Sequence, residues 1–308
     1  MPAQAAGGAT SGEAATSGSA ATSGEAADRA GMRVCLWGTR GSIASAGPET
    51  IRYGGNTSCV EVEGREGTIV ILDAGTGVRR VGDTYRRPRR LDILLTHLHM
   101  DHIQGLGFFA PLFESDFEIH IWGPPSPTQD LRTRLSRYLS PPLFPVRLRD
   151  VAARLELHDA PLEPFEVGGL VVDADTIIHP GQTLGYRVTD GLATVAYLPD
   201  HEPTLGRADL PAESEWTSGL DLARDADLLL HDAQYTAAEY DARVGWGHSR
   251  IDDAVRLAAR AGARRLVTFH HDPAHDDVEL DAMLDDARRL APDGLEVLPG
   301  TEGSTFRL

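Results

Sequence analysis

From Arg33 onward, short apolar runs alternate with polar turns, and the spacing within each run predicts its structure. Short runs with alternating or β-branched apolar residues, bounded by Gly, Pro or Asp, are typical of strands. The pattern predicts strands at RVCLWG (33–38), TSCVEVEG (57–64), TIVILDAG (68–75), LDILLTH (91–97), EIHIWG (118–123), LVVDADTIIH (170–179), TLGYRVTD (183–190), LATVAYLPD (192–200), RLVTFH (265–270) and GLEVLPG (294–300).

Helical spacing occurs between these strands and dominates the last third of the chain. Predicted helices cover 78–85, 102–109, 128–139 and 276–290, whereas the proline-rich stretch 140–165 is expected to be irregular. Strands joined by hairpins in each half, with helices between and after them, predict a layered α/β sandwich rather than a doubly wound sheet.

The N-terminal stretch differs from the rest. The triplet TSG recurs at 10–12, 16–18 and 22–24, and the segment has no apolar anchors. Such low-complexity sequence cannot bury enough apolar surface to fold. We therefore predict a disordered tail over residues 1–30 and one domain over residues 31–308.

Composition narrows the possible functions. The 308 residues are 41% hydrophobic, which is ample for a core, and no apolar run is long enough to cross a membrane. No export signal is visible, so a cytoplasmic location is expected. The net charge is −17 and lysine is absent, which excludes Schiff-base chemistry and a Walker-type phosphate loop.

Two local basic runs, 78–90 and 131–139, stand out in this acidic chain. They are either solvated faces of a loop and an amphipathic helix or a small landing surface for an anion. The two cysteines, Cys35 and Cys59, lie in separate predicted strands, which excludes a cysteine-based zinc site or a disulfide framework.

The strongest chemical signal is THLHMDH (96–102), where an apolar strand ends in His97, His99, Asp101 and His102. On a strand, residues i and i+2 face the same side, so His97 and His99 are expected to bind one ion together. Asp101 and His102 follow the turn and are suited to a second ion. Imidazole and carboxylate without thiolate favour zinc, with manganese or iron as competitors.

This stretch resembles the H-x-H-x-D-H signature of the metallo-β-lactamase superfamily. The resemblance implies a four-layer αββα sandwich and a hydrolase with two divalent metal ions, with Asp73 supporting the metal loop. His270 is expected to be the last ligand, although His271 is adjacent. The implied ligands are His97, His99 and His179 for the first ion, Asp101, His102 and His270 for the second, and Asp200 between them.

Two further motifs, LLLHDAQYT (228–236) and GWGHS (245–249), resemble a motif pair of the transfer-RNA 3′-processing endonucleases (tRNase Z) and their cyclic phosphodiesterase relatives. The resemblance implies that Asp232 orients His248, which acts as general acid; His231 is expected to be structural, and His201 to be a supporting or exposed residue. The alternative roles of Asp232 and His248 are a helix cap and a loop histidine.

The block 37–62 resembles a bacterial branch of these phosphodiesterase-like proteins. It implies that Arg40 meets a substrate phosphate and that Asn56 lies near the metal face. A tight turn that needs Gly38 and Gly41 explains the same residues without a function.

The expected reaction is hydrolysis of a small or cyclic nucleotide-like phosphodiester. Metal-bound hydroxide attacks phosphorus, and His248 protonates the leaving oxygen. RNA is a less favoured substrate because the chain lacks the lysine-containing loop of the transfer-RNA enzymes, and a homodimer is one option. The alternatives are a lactone or thioester hydrolase on the same metals and a non-catalytic metal- or nucleotide-binding module.

Overall fold

The computed structural model describes residues 31–82, 90–213 and 216–308. The predicted tail, 1–30, lies outside the described residues, as does the second half of the basic run 78–90. The first predicted helix begins at Val78 as expected, and helix α1 is described over Val78–Gly82. The domain boundary at residue 30 stays a prediction.

The first of two mixed sheets has seven strands in the order β14-β1-β2-β3-β4-β5-β6. Strands β14, β1, β2 and β3 pair antiparallel, whereas β3 to β6 pair parallel. The strands are β1 (Arg33–Gly38), β2 (Cys59–Glu63), β3 (Ile69–Leu72), β4 (Arg90–Leu94), β5 (Glu118–Gly123), β6 (Arg154–Asp159) and β14 (Thr305–Arg307).

The second sheet repeats this plan with seven strands in the order β13-β12-β11-β10-β9-β8-β7. Strands β7 to β10 pair antiparallel and β10 to β13 pair parallel. The strands are β7 (Phe165–Val167), β8 (Leu170–Thr176), β9 (Leu184–Thr189), β10 (Thr194–Leu198), β11 (Leu228–Asp232), β12 (Arg265–Phe269) and β13 (Glu296–Pro299).

Short helices occupy the connections, and two longer helices follow β11 and β12. The remaining helices are α2 (Met100–Ile103), α3 (Leu131–Leu135), α4 (Leu220–Ala223), α5 (Ala237–Tyr240), α6 (Ile251–Ala261) and α7 (Asp277–Leu290). Helix α7 begins after the capping residue Asp276, whose carboxylate accepts from the Val278 and Glu279 amides. Among the described residues, no helix combines the length and apolar composition that a membrane-crossing helix requires.

Three apolar clusters define four layers. The first cluster fills the space between the two sheets. It contains Val62 and Leu72 of the first sheet together with Tyr186 and Phe269 of the second. The other two clusters join the outer face of the first sheet to helices α1 and α2 and the outer face of the second to α4, α6 and α7. The αββα sandwich is therefore confirmed.

Several predicted boundaries of strands and helices are wrong. Strand β4 ends at Leu94 and β8 at Thr176, so His97, His99 and His179 lie in the loops beyond the strands. The helix predicted over 128–139 is only five residues long, Leu131–Leu135. Strand β6 lies in the stretch expected to be irregular, because a half-exposed edge strand has a weak hydrophobic pattern.

Candidate metal centre

The site lies where parallel strands of both sheets end. Asp73 follows β3, the THLHMDH loop follows β4, Asp200 follows β10, Asp232 ends β11 and His270 follows β12. Because the carboxyl ends of parallel strands meet at one edge of a sheet, these loops converge there. Asp73 and His270 both adopt left-handed backbone, with φ of 59° and 58°, which is unfavourable for residues other than glycine and often marks functional sites.

Three histidines form the first group, His97, His99 and His179. One nitrogen atom of each lies within 4.8 Å of the others. The His99 Nδ1 and His179 Nε2 atoms are 3.2 Å apart. Two nitrogens on one tetrahedral zinc ion, each about 2.0–2.1 Å from it, would be about 3.4 Å apart, so the spacing fits a shared ion.

A second, fully buried group consists of Asp101, His102, Asp200 and His270. The His270 Nε2 atom lies 3.2 Å from both Asp101 Oδ2 and Asp200 Oδ1. The His102 Nε2 atom lies 3.0 Å from Asp200 Oδ1 and 3.3 Å from Asp101 Oδ2. Four side chains of types that suit a divalent cation, two aspartates and two histidines, therefore surround one point.

Asp200 belongs to both groups through different oxygens. Its Oδ1 faces His102 and His270, whereas its Oδ2 lies 3.8 Å from His97 Nε2 and 3.7 Å from His179 Nε2. This geometry is suited to a carboxylate that bridges two ions, as the resemblance implies.

The outer nitrogens of four histidines are fixed by hydrogen bonds, which leaves Nε2 of each directed at the cluster. These pairs are Thr96 Oγ1 with His97 Nδ1 (3.1 Å), Asp73 Oδ2 with His102 Nδ1 (2.7 Å), Gly247 O with His179 Nδ1 (2.9 Å) and Gln234 Oε1 with His270 Nδ1 (3.0 Å).

Inside the cluster, the buried atoms His97 Nε2, His102 Nε2 and Asp200 Oδ1 have no hydrogen-bond partner among the described residues. Unsatisfied buried polar atoms are costly, and bound cations would satisfy all three. The residues therefore fit two divalent ions.

The protonation states of His97 and Asp200 suit metal binding. Burial, reinforced by neighbouring histidines, lowers the pKa of His97 well below its usual range, so its imidazole is neutral and able to bind an ion. Burial alone would raise the pKa of Asp200, but His102, His270 and His97 outweigh it and lower the pKa, so the carboxylate is ionised.

His248 stands beside both groups. Its Nδ1 lies 2.8 Å from Asp232 Oδ2, and its ring stacks on His270 with centroids 4.9 Å apart. Burial would lower the His248 pKa, but Asp232, supported by Asp200 and Asp101, raises it to about 9. Divalent cations at the cluster would oppose this rise because like charges repel.

Asp232 is itself held in place. Its Oδ1 accepts from the backbone amides of Gln234 (3.0 Å) and Ser249 (3.1 Å), and its Oδ2 accepts from that of His201 (3.2 Å). The residue therefore fixes the ring of His248 rather than capping a helix.

The neighbours of the predicted ligands face elsewhere. The ring of His271 donates through Nε2 to Gly300 O at 2.8 Å, away from the cluster. His201 is fully buried, with its Nδ1 2.9 Å from His231 Nε2, so an exposed role for it is excluded. Gly41 packs directly against His270, because a Cβ at this position would lie 2.4 Å from the His270 ring.

A sequence profile described as the beta-lactamase superfamily domain matches residues 68–271, a range that includes both metal-competent groups. The chain belongs to this superfamily. It is accordingly a metal-dependent hydrolase, and the superfamily fold implies divalent metal ions.

Individual relatives agree with the superfamily assignment. A ribonuclease Z of Haloarcula marismortui is 26% identical in an alignment of 315 positions that covers 86% of this chain and 96% of that protein. The metallo-β-lactamase fold protein YhfI of Bacillus subtilis has a TM-score of 0.65 at 20% identity, over 90% of this chain and 99% of its own. The short form of human tRNase Z has a TM-score of 0.62 at 22% identity, over 89% and 98%. The two structures establish a shared fold.

One superfamily-based hypothesis is wrong. Arg40 is fully buried, and its guanidinium donates to the carbonyl oxygens of Gly54 (2.9 Å), Asp272 (3.0 Å) and His275 (2.8 Å). It ties loops together and does not reach a substrate phosphate. A Cβ at Gly38 would lie 1.9 Å from Thr57 O, so the turn explanation for this motif is correct.

Asn56 is half-buried and donates through Nδ2 to Glu302 Oε1 at 2.8 Å. It lines a pocket with Met100, the residue between His99 and Asp101. A direct contact with substrate stays a prediction.

Glu202 is a supporting residue of this superfamily site that the sequence did not reveal. Its buried carboxylate accepts from Tyr240 Oη (2.6 Å), Gly245 N (2.8 Å) and Gly247 N (2.7 Å). The loop that it holds carries His248 and also the Gly247 carbonyl that orients His179. Gly247 has a φ of 89°, and a Cβ there would meet the His179 ring at 2.3 Å. Its position directly after Asp200 and His201 was the available signal.

We expect Glu202→Gln to loosen this loop, because an amide turns a donor group toward backbone N–H groups that need an acceptor. The free energy of unfolding should fall by about 2 kcal/mol, in the range for hydrogen bonds to charged groups. Metal affinity should fall ~10–100-fold, as for other supporting residues. Denaturant titration and metal-competition assays measure both. Glu279→Gln, which alters a cap on α7, is the control; wild-type metal affinity in Glu202→Gln would contradict the role.

Proposed function

We propose that the chain is a phosphodiesterase that acts on a small or cyclic nucleotide-like phosphodiester with two zinc ions. The observation that carries the proposal is the Asp232-held His248 beside an Asp200 carboxylate shared by two metal-competent groups. The ribonuclease Z relative supports a phosphorus ester over a carbon ester. Imidazole and carboxylate ligands without thiolate favour zinc, while manganese and iron remain competitors.

The predicted ligands form two sets that share Asp200. His97, His99 and His179 would hold one ion, Asp101, His102 and His270 the other, and Asp200 both. When bound, two such ions would lower the pKa of a bound water and supply positive charge that stabilises the phosphate oxygens.

The proton for the leaving group comes from the protein. Asp232 occupies Nδ1 of His248, so Nε2 is the atom that donates to the leaving oxygen. Phosphodiester hydrolysis expels an alkoxide, and a positioned general acid contributes ~10²–10⁴-fold. A thioester expels a stable thiolate and has less need of this donor, so the His248–Asp232 pair favours the phosphodiester over a thioester.

A small substrate is favoured over RNA because the net charge is −17 and the far field of an acidic protein repels a polyanion. The relative named ribonuclease Z keeps RNA as the second candidate. The cytoplasmic location and the homodimer expected from the sequence stay predictions.

We expect metal analysis to find about two zinc ions per chain and the loaded protein to hydrolyse bis-nitrophenyl phosphate and cyclic nucleotides. The panel should include 2′,3′- and 3′,5′-cyclic nucleotides, an RNA with a 3′ extension, a lactone and a thioester. Faster turnover of the lactone or thioester would contradict the proposal. Turnover of the RNA alone would reassign the substrate, and turnover of nothing by fully loaded protein would favour a binding module.

A further inference from the structure

A pocket of 410 Å³ adjoins the metal centre. Its volume lies in the range of about 300–1,000 Å³ that is typical of small-molecule sites. Its wall includes Met100, which stands between the metal-competent residues His99 and Asp101, and Gln104, two residues after His102. His99 and Met100 are both exposed, so the pocket and the mouth of the metal centre share a rim.

Part of the pocket lining is apolar and aromatic. Phe108 is 63% exposed and Met100 49% exposed, while Tyr138 is half-buried. The Tyr138 hydroxyl donates to Gln104 O at 2.5 Å, which fixes its ring against the loop that carries the metal ligands. Phe144 braces the Phe108 ring edge-on, with centroids 5.8 Å apart. A single exposed apolar residue is ordinary, but two of them in one pocket beside a catalytic centre indicate a planar apolar ligand.

The rest of the pocket lining is polar and carries a cation. The Arg79 side chain is exposed and has no hydrogen bond or ion pair with any described residue, in contrast to Arg80, which pairs with Glu302. Asn56, Thr76 and Gln104 contribute amide and hydroxyl groups to the lining. In a chain with a net charge of −17, an arginine that has no partner among the described residues favours an anionic ligand locally.

We infer that this pocket, lined by Phe108, Met100, Tyr138 and Arg79, binds the nucleobase and adjacent phosphate or sugar of the substrate while its scissile phosphodiester lies at the metal centre. The inference rests on the proposed function and makes the substrate class a nucleotide. Arg79 belongs to the first basic run and Tyr138 lies within the second, so each run contributes one residue to the pocket.

The test compares two esters with the same leaving group, thymidine 5′-nitrophenyl phosphate and methyl nitrophenyl phosphate. Base stacking on an aromatic side chain corresponds to roughly a tenfold change or more. Phe108→Ala should therefore raise the KM for the thymidine ester about tenfold or more and leave kcat and the methyl ester unchanged. Arg79→Ala should also raise the KM for the thymidine ester. Val278→Ala and Arg264→Ala, exposed residues outside this pocket, are matched controls.

Calorimetry with thymidine 5′-monophosphate and methyl phosphate separates failure of the pocket from failure of the proposed function. If both pocket variants leave the thymidine KM and nucleotide affinity unchanged in an active enzyme, the pocket assignment is overturned and the phosphodiesterase function stands. If wild-type protein hydrolyses neither ester but prefers the nucleotide, and Phe108→Ala removes that preference, the pocket assignment stands without the function. Absence of turnover and of nucleotide preference overturns both.

Discussion

Replacing Asp200 with asparagine should abolish metal binding and turnover together. The substitution keeps the size of the side chain but removes the negative charge whose two oxygens face both groups of ligands. Asp101 would then be the one carboxylate left in the second group of ligands. Loss of a supporting residue costs ~10–100-fold in metal affinity, so loss of this shared ligand should cost more. Mass spectrometry of bound metal and turnover of bis-nitrophenyl phosphate measure the effect.

The control for this prediction is Asp173→Asn, which removes a half-buried carboxylate from strand β8 of the same sheet. It should keep both metal and activity. Circular dichroism must show that Asp200→Asn is folded. A folded Asp200→Asn protein that retains two ions and wild-type kcat would refute the bridging role.

Removing His248 should separate chemistry from metal binding. We expect His248→Ala to retain both ions, because the resemblance assigns every ligand position to other residues and Asp232 holds the His248 Nδ1, although His248 also belongs to two overlapping metal-competent groups. Its kcat should fall ~10²–10⁴-fold for cyclic nucleotides, whose leaving alkoxide needs a proton. Nitrophenolate is a stable leaving group, so kcat for bis-nitrophenyl phosphate should fall much less. The measurement is the ratio of kcat values for the two substrates, with bound metal determined on the same samples.

Asp232→Asn is the companion variant, because it leaves the His248 ring in the protein and removes the carboxylate that fixes it. It should lower kcat for cyclic nucleotides in the same direction as His248→Ala. Equal losses for both leaving groups in His248→Ala, or no loss for either, would show that His248 does not supply the proton.

Arg40 and Arg79 differ in their environments in a way that the local sequence does not indicate. Arg40 lies in a glycine-rich turn that resembled a phosphate-binding element, yet its guanidinium is buried against carbonyl oxygens. Arg79 is one basic residue in a run whose pattern favours a solvated face over a landing surface for an anion, yet its side chain is unpaired among the described residues and lies beside the metal centre. Neighbours in space distinguish two arginines that composition and local pattern treat alike.

By itself, the sequence determined the layered sandwich and the local metal motif, because alternating apolar positions and a six-residue ligand run are short-range properties. Resemblance then supplied His179, Asp200 and His270 as expected ligands. Only the tertiary structure brings such residues to one point: Asp101 and His270 are 169 residues apart in the chain but 3.2 Å apart in space. Strand order and parallel pairing decide that convergence, and burial decides which side chains face it. The two-sided placement of Asp200, the loop contacts of Glu202 and the pocket beside Met100 depend on contacts between distant segments, which no local pattern encodes.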